Sequence, residues 1–266
     1  MDAIYNTKAG CSMVGNLHTF YSMLRSAFSE HSFSTSYWAV LFNPAYIARR
    51  GLAKSITHLV KQLSLDGSGV WLDVGCGSRP YESLFNVEKY IGMDVEESGH
   101  PSETKRYDIA YDGVLFPIDS CSIDGVICTQ VLEHVPNPGH LISEIERVLK
   151  PGGRLLLTAP FVWQEHEKPY DFTRFSSYGL RHLLEPHFCI LEHQKTTGSI
   201  ETIAQALSIY LHNSVTLNLP GWSYIVTLAL SAPIQIMGLL WQRIVPDKED
   251  LFLDNAILAY KLGQKL

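Results

Sequence analysis

"VWLDVGCGSRPYESLF", residues 70–85, is the stretch that decides how the rest of the chain is interpreted. A short apolar run ends at an acidic residue, and Gly75 and Gly77 follow closely, ahead of a polar segment. Glycine permits a sharp turn and a close approach of the backbone to a bound nucleotide. The pattern predicts a strand, a glycine turn and a helix start that together hold a nucleotide cofactor.

Two classes of cofactor fit such a turn. A dinucleotide needs a third small residue at position 80 and backbone N–H groups that face its pyrophosphate, whereas Pro80 has no N–H to donate. A sulfonium nucleotide has no phosphate. Its ammonium group would donate to Asp73, and its ribose hydroxyls would donate to Asp94, which ends the next apolar run. Asp94 would serve NAD equally, so Asp73 and Pro80 favour the sulfonium. An NAD-dependent oxidoreductase is the alternative.

Apolar runs alternate with segments of helical spacing along the rest of the chain. Further strands are predicted at 89–95, 123–131, 153–160, 188–196 and 250–262. Strands separated by helices form a parallel sheet that is covered on both faces. We therefore predict an α/β, doubly wound (Rossmann-like), mostly parallel seven-stranded sheet.

The domain organisation follows from where this alternation starts and stops. Residues 1–65 precede it and are predicted to form a helical N-terminal extension or cap, with a helix over 43–63 that begins at Asn43 as its N-cap. Residues 66–266 are predicted to form the cofactor-binding domain. An apolar helical insertion at about 200–248 interrupts this domain before its last strand.

Two motifs carry a resemblance to a known family. "LDVGCGSRPY" resembles the first motif of class I S-adenosylmethionine-dependent methyltransferases, which most members write D-x-G-x-G. "YDGVLFPIDSCSIDGVICTQVLEHVPNPGHLISEIERVLKPGGRLLLTAPF" is similar to the branch called methyltransferase type 11. The chain departs from that branch at "VLFPI", where the family usually has "LPF".

The resemblance implies S-adenosylmethionine as cofactor and assigns residues to its parts. The methionine tail would lie against Asp73, Gly75, Cys76 and Gly77, the ribose against Asp94, the adenine against Asp112 and Gly113, and the transferred methyl near Gln130. A turn-forming Asp-Gly pair is the alternative for Asp112.

Methyl transfer is a displacement at carbon, so the protein mainly aligns the nucleophile and removes a proton where the acceptor requires it. Histidine is the usual base near neutral pH. His134 in "LEHV" and His166 in the loop after the strand at 153–160 are the candidates for a catalytic base. A role as a wall of the pocket is the alternative for His134.

The loop that contains His166 has the composition of an acceptor site and resembles a segment found in a subgroup of these methyltransferases. Trp163 and Tyr170 would stack on the acceptor, and Asp171 and Arg174 would orient it. The alternative is that Asp171 and Arg174 pair with each other and fix the loop.

Composition bounds the partners and the compartment. The net charge is −6, the hydrophobic share is 46%, and no block of lysine and arginine is present, so we expect a small-molecule acceptor and no nucleic acid. The five cysteines are widely spaced without a C-x-x-C pair, which predicts reduced thiols, no metal site and a cytoplasmic protein. The N-terminus contains an acidic residue and no long apolar run, so no signal peptide is expected.

Residues 202–242 contain no aspartate, glutamate, lysine or arginine. The part at 222–241 has the length and the terminal tryptophans of a membrane span, but it lies between two predicted strands of one sheet, so a single crossing is not expected. Three alternatives remain for residues 200–245: a helical hairpin that forms an apolar lid, a peripheral membrane contact, or a homodimer contact. Pro233 predicts a break in the helix.

The sequence therefore predicts an S-adenosylmethionine-dependent methyltransferase that acts on a small, partly apolar acceptor. A catalytically inactive binding or scaffolding protein with the same fold is the non-enzyme alternative.

Overall fold

A computed structural model of the 266-residue chain describes residues 36–98, 104–216, 221–247 and 249–263. Residues 1–35, which make up most of the predicted extension, lie outside the described residues. The seven strands are β1 (Val70–Val74), β2 (Lys89–Val95), β3 (Ile109–Tyr111), β4 (Ile123–Thr129), β5 (Leu149–Pro160), β6 (Phe188–Lys195) and β7 (Asp254–Lys261).

All seven strands form one sheet in the order β3-β2-β1-β4-β5-β7-β6. The strands from β3 to β5 in that order run parallel, and β7 runs antiparallel to both β5 and β6. The chain reverses its direction across the sheet at β1, so the carboxyl ends of β1 and β4 flank the crevice where ligands bind in such folds. The predicted doubly wound, mostly parallel fold is confirmed. The strand β3 escaped prediction because it has only three residues.

The helices are α1 (Tyr46–Gln62), α2 (Pro138–Val148), α3 (Ser177–Leu184), α4 (Ser199–Val215), α5 (Trp222–Val226) and α6 (Ala232–Trp241). A π-helical segment, Thr227–Ser231, joins α5 to α6, and short 3₁₀ turns form at Tyr37–Leu41, Glu82–Leu84 and Leu132–His134. Side chains alternate across the sheet, so Leu72 and Val74 pack beneath α2 and α3 while Trp71 packs beneath α1.

Two local expectations are wrong. The helix α1 begins at Tyr46, after Ala45, and Asn43 is not its N-cap, although Asn43 Oδ1 accepts a hydrogen bond from the Ala45 N–H at 2.8 Å. No α-helix follows the glycine turn: Arg79 has a φ of 58° and Pro80 lacks an N–H, so the chain forms only the single turn Glu82–Leu84.

The helix α1 belongs to the core of the sheet. Its buried Ile56 and Leu59 pack with Trp71 and Ile127 in one apolar cluster. Deletion of α1 would therefore expose one face of the sheet. The predicted extension at 1–65 stays a prediction, but its last helix cannot be separated from the rest of the fold.

The apolar insertion is helical, as predicted, and forms a hairpin of α4 and the helix Trp222–Trp241. A Cβ at Gly238 would lie 2.3 Å from the Cβ of Ala204, so the two helices are in close contact. The π-helical segment interrupts regular α-helical hydrogen bonding immediately before Pro233. The helix Trp222–Trp241 is long and apolar enough to cross a membrane, and 33% of its most apolar window is buried.

The hairpin buries polar residues and exposes large apolar residues, which is the reverse of an ordinary surface helix. Its buried polar residues are Thr202, Gln205, Ser208, Thr227, Ser231 and Gln235. Its exposed large apolar residues, which we call the outer apolar face, are Ile203, Leu207, Tyr210, Ile225, Leu228, Ile236, Met237, Leu240 and Trp241. The buried amide of Gln235 accepts from the Ile47 N–H and donates to the Asn43 carbonyl, which fixes the polar side against α1.

The close approach of β1 and β4 gives a test of the core. A Cβ at Gly125 would lie 2.4 Å from the indole ring of Trp71, whereas a Cβ at Gly139 makes only an ordinary contact at 3.6 Å. We expect Gly125→Ala to lower the free energy of unfolding by about 1–3 kcal/mol through overpacking, measured by urea denaturation. The control Gly139→Ala lies in α2 and should change it by less than about 1 kcal/mol. Equal stability of the two variants would contradict this packing.

Candidate active site

The glycine turn after β1 is closely packed. Gly75 and Gly77 have φ values of 66° and 49°, and a Cβ at Gly75 would lie 2.4 Å from a methyl group of Val131. The Gly75 N–H donates to the Met93 carbonyl at 2.8 Å. Between the glycines, burial raises the pKa of the Cys76 thiol to about 12, so Cys76 stays protonated at neutral pH and acts as a packing residue.

Asp94 joins this turn to the end of β2. Its Oδ2 accepts from the Gly77 N–H at 2.9 Å, and its Oδ1 accepts from the Val95 N–H at 2.8 Å. The ammonium of Lys105 lies 3.3 Å from Oδ1. A carboxylate has about four acceptor positions, so Asp94 keeps capacity for ligand hydroxyls. The sequence prediction did not include Lys105.

Asp73 is buried beside the turn. Its Oδ2 accepts from the Tyr90 hydroxyl at 2.7 Å, and burial raises its pKa to about 7. The guanidinium of Arg79 lies across β2, where a Cβ at Gly92 would be 2.5 Å from Arg79 Nε, and it donates to Asp108. Sequence reasoning missed Tyr90 and Arg79. Gly92 inside β2 was the available signal for Arg79, because a glycine within a strand marks a place where another group approaches the backbone closely.

Asp112 and Gly113 form a turn at the exposed end of β3. Asp112 Oδ1 accepts from the N–H groups of Val114 and Leu115 at 2.8 and 3.0 Å, which lowers the pKa of Asp112, and Gly113 has a φ of 82°. This geometry matches the alternative interpretation of Asp112 as a turn-forming residue. The exposed side chains of Val114 and Leu115 offer an apolar surface, and contact with the adenine stays a prediction.

Gln130 follows β4 with a φ of 56°, and its Nε2 donates to Thr158 Oγ1 at 3.1 Å. Beside it, Asp254 at the start of β7 is buried, and burial raises its pKa to about 7 against the effect of hydrogen bonds from Thr196 and Gln130. These groups form a polar surface between the glycine turn and the loop that contains His166. The predicted position of Gln130 near the methyl group stays a prediction.

The acceptor loop, which we define as residues 161–176, is fixed by the pair Asp171–Arg174. Arg174 donates two hydrogen bonds to the Asp171 carboxylate, at 2.5 and 2.8 Å, and further ones to the carbonyls of Trp163 and Gln164. This pairing holds the pKa of Asp171 well below its usual range. Asp171 Oδ2 also accepts a hydrogen bond from the backbone N–H of His166 at 2.8 Å. The geometry matches the loop-fixing alternative, and direct contact with an acceptor stays a prediction.

The structure brings the two predicted histidines together. The rings of His134 and His166 meet edge to face with centroids 4.7 Å apart. His134 Nδ1 lies 2.6 Å from the Tyr170 carbonyl, so it carries the proton that is donated there. Burial lowers the pKa of His166, so this ring is neutral at pH 7 and competent to accept a proton. Tyr170 is 40% exposed, while Trp163 packs in part against the hairpin.

Glu133 lies in the acceptor part of the site and was not predicted from the sequence. It is fully buried in the turn that also carries His134, and neither carboxylate oxygen has a hydrogen-bond partner among the described residues. Burial raises the pKa of Glu133 to about 8. Its backbone carbonyl accepts from the N–H groups of Phe172 and Thr173, which attaches the acceptor loop to the end of β4.

A family described as a methyltransferase domain matches residues 47–195, more than half of the chain. The match begins inside α1 and ends with β6, so it includes the glycine turn and the acceptor loop. The family expected from the sequence motifs is confirmed.

Two relatives show how far sequence similarity extends. The thiol S-methyltransferase TMT1B of Rattus norvegicus is 28% identical over 120 residues, 45% of this chain and 47% of the relative. The ubiquinone biosynthesis O-methyltransferase of Coxiella burnetii is 30% identical over 113 residues, 39% of this chain and 48% of the relative. The chain thus spans about half the length of these relatives.

Two solved structures share the fold at a TM-score of 0.51. The [4+2]-cyclase SpnF is 20% identical and aligns over 79% of this chain and 82% of its own. The phosphoethanolamine N-methyltransferase 2 of Haemonchus contortus, crystallised with S-adenosyl-L-methionine, is 16% identical over 80% of this chain and 53% of its own. One of the two is named as a cyclase, so the fold alone assigns no reaction.

The acceptor loop gives a matched pair of variants. Arg174→Gln removes the double hydrogen bond to Asp171 and the contacts to two carbonyls. We therefore expect the free energy of unfolding to fall by about 1–3 kcal/mol and proteolysis within 161–176 to become faster. Lys168→Gln removes an exposed ion pair with Glu165 and should have no measurable effect. If both variants are cleaved at the wild-type rate, Arg174 does not fix the loop.

Proposed function

The chain belongs to the methyltransferase-domain family, and we propose that it is an S-adenosylmethionine-dependent methyltransferase whose cofactor lies across the glycine turn and whose acceptor lies beneath the acceptor loop. The single observation that carries this proposal is the Asp94 carboxylate, near the carboxyl end of β2, held against the Gly77 N–H.

The described residues fit this cofactor. Bound S-adenosylmethionine would supply an electrophilic methyl group on a sulfonium sulfur. Asp94 accepts the ribose hydroxyls, and Asp73 accepts from the ammonium group of the tail while Tyr90 holds one of its oxygens. Gly77 leaves room for the ligand, since it has open space where a Cβ would stand. An NAD-dependent oxidoreductase gains no support from the family.

The acceptor half supplies positioning and a base. Arg174 and Asp171 fix the acceptor loop, and Tyr170 offers an exposed ring on which a partly apolar acceptor stacks. His166, neutral at pH 7, accepts the proton that an oxygen or sulfur nucleophile loses. The names of the two relatives, an S- and an O-methyltransferase, support an acceptor of this class.

The outer apolar face of the hairpin docks the protein on a membrane surface in this proposal. Its buried side is polar and fixed to α1, so the helix Trp222–Trp241 cannot leave the domain to span a bilayer without breaking the Gln235 hydrogen bonds. An uncharged face with Trp241 at one end suits the interface of a bilayer. The hairpin also reaches the acceptor loop, where Asn213 donates to the Gln164 side chain at 3.1 Å, so an apolar acceptor would enter from the lipid side.

We place the protein in the cytoplasm, at this membrane surface. The cysteines at 76, 121, 128 and 189 are free, which supports a reducing compartment.

Calorimetry with S-adenosylhomocysteine tests the cofactor site. We expect Asp94→Asn to weaken binding by about 1–3 kcal/mol, because a charged acceptor for the ribose is lost. The control Glu88→Gln changes an exposed acid at the other end of the strand pair and should bind like the wild type. Unchanged affinity of Asp94→Asn would remove the ribose assignment, and binding of NADH instead would remove the proposed function. Cofactor affinity without turnover on lipid or aqueous extracts would favour a binding subunit.

Flotation with vesicles of phosphatidylcholine and phosphatidylglycerol tests the docking surface. We expect the wild type to float and Met237→Glu/Leu240→Glu to lose at least about tenfold in partitioning, because two exposed apolar side chains become charged. The control Tyr178→Glu changes a more exposed aromatic residue on α3, outside the hairpin, and should float like the wild type. A stable dimer that does not float, broken by the same two substitutions, would replace the membrane with a second copy of the chain.

A further inference from the structure

The buried end of the acceptor loop contains a cluster of three polar side chains that, among the described residues, form no hydrogen bond with one another. Glu133, His134 and His166 each place one oxygen or ring nitrogen so that all three atoms lie within 4.8 Å of one another. His134 Nε2 is 3.9 Å from Glu133 Oε1 and 3.7 Å from Glu167 Oε1, too far for a hydrogen bond in either case.

The hydrogen-bonding state of each ring makes the arrangement costly without a cation. His134 Nδ1 donates to the Tyr170 carbonyl, so a neutral His134 presents the lone pair of Nε2 to the two glutamates. His166 Nδ1 is buried and has no partner among the described residues. Both oxygens of Glu133 are buried and likewise unpartnered, whether as acceptors or, if protonated, as a donor.

We propose that Glu133, His134 and His166 form a binding site for one divalent first-row transition-metal ion. Two imidazoles and one carboxylate are a ligand set that such ions favour. Tetrahedral ligands at about 2.1 Å from an ion lie roughly 3.4 Å apart, so small side-chain rotations close the site around it. Glu167 Oε1 lies 3.7 Å from His134 Nε2 on the side of the acceptor loop.

The surroundings are those of metal-ligating histidines. A ring N–H donated to a backbone carbonyl orients such a histidine, which is what the 2.6 Å contact from His134 to Tyr170 does. Asp171 Oδ2 lies 3.4 Å from His166 Nδ1 and accepts from the backbone N–H of His166, which restrains the position of the second histidine. The double hydrogen bond from Arg174 holds that carboxylate in place.

The sequence predicted no metal site because it contains no cluster of cysteine and histidine ligands at short spacing. Glu133 and His134 come from the turn after β4, whereas His166 comes from the loop after β5. The parallel pairing of β4 with β5 brings the two segments to the same edge of the sheet. Only the folded chain shows the ligand set.

The ion would act on the acceptor, a role that rests on the proposed function and replaces the base assigned there to His166, whose lone pair the ion takes. A metal-bound hydroxyl or thiol has a lowered pKa, so it loses its proton to water or to a nearby base at neutral pH. An ion held by Glu133, His134 and His166 would thus present the acceptor as an oxyanion or thiolate, whose lone pair would form the new bond to the methyl carbon. The carbon–sulfur bond of the cofactor breaks, and its electron pair stays on sulfur to give neutral S-adenosylhomocysteine.

Metal binding is measured directly, without turnover. Untagged protein is stripped with EDTA, dialysed and titrated with Co²⁺, read by visible absorption, and with Zn²⁺, read by calorimetry. We expect one ion per chain and at least about a hundredfold weaker binding in Glu133→Gln and in His166→Ala. His140→Ala and Glu165→Gln, which change a histidine on α2 and an exposed acid of the acceptor loop, serve as controls and should bind like the wild type.

The outcomes separate this site from the proposed function. Each variant is also titrated with S-adenosylhomocysteine, and we expect unchanged affinity, which shows that the variant is folded and that the cofactor half is intact. If Zn²⁺ and Co²⁺ do not bind the wild type, or bind Glu133→Gln and His166→Ala as tightly as they bind it, the metal site is overturned while the cofactor site stands. Loss of binding in Cys121→Ser alone would assign the ion to an exposed thiol and would also overturn it.

Discussion

The hydrogen bond from the Gly77 N–H to the Asp94 carboxylate is the constraint on which the site depends. It ties the turn after β1 to the end of β2, and the turn can adopt its path only because Gly75 leaves no Cβ against Val131. A parallel pair of strands brings the two segments to one edge, and a charge-assisted hydrogen bond then fixes their spacing. The cofactor half of the site is thus built by backbone geometry, with few side chains that are free to move.

The acceptor half is built differently. The pair Asp171–Arg174 and the carbonyl of Glu133 hold the acceptor loop against the end of β4, so two histidines from distant segments meet over a buried carboxylate. The hairpin touches the same loop through Asn213 while it turns its apolar residues outward. One loop therefore contacts both the buried cluster and the hairpin that carries the outer apolar face, which suits an acceptor with a reactive polar end and an apolar body.

Local pattern was enough to predict most of the fold and the glycine turn at which we propose that the cofactor binds. Strand alternation, the glycine turn and the acid after β2 are contiguous signals, and they identified the sheet and Asp94. These signals could not predict contacts between distant segments. Tyr90 contacts Asp73, and Glu133 approaches His166, only after the sheet assembles. Composition also could not show which side of the hairpin is buried, because a polar buried side such as that of Gln235 reverses the usual rule.

Amide hydrogen exchange with and without saturating S-adenosylhomocysteine tests the central claim most directly, because it reports on the glycine turn itself. The account predicts that amides at 75–79 and 94–96 exchange at least about threefold more slowly with the ligand, since ligand contacts suppress local opening there. Exchange in the helix Trp222–Trp241 should stay unchanged. Unaltered exchange at the turn in saturating ligand, or slowing there by NADH in its place, would contradict the account.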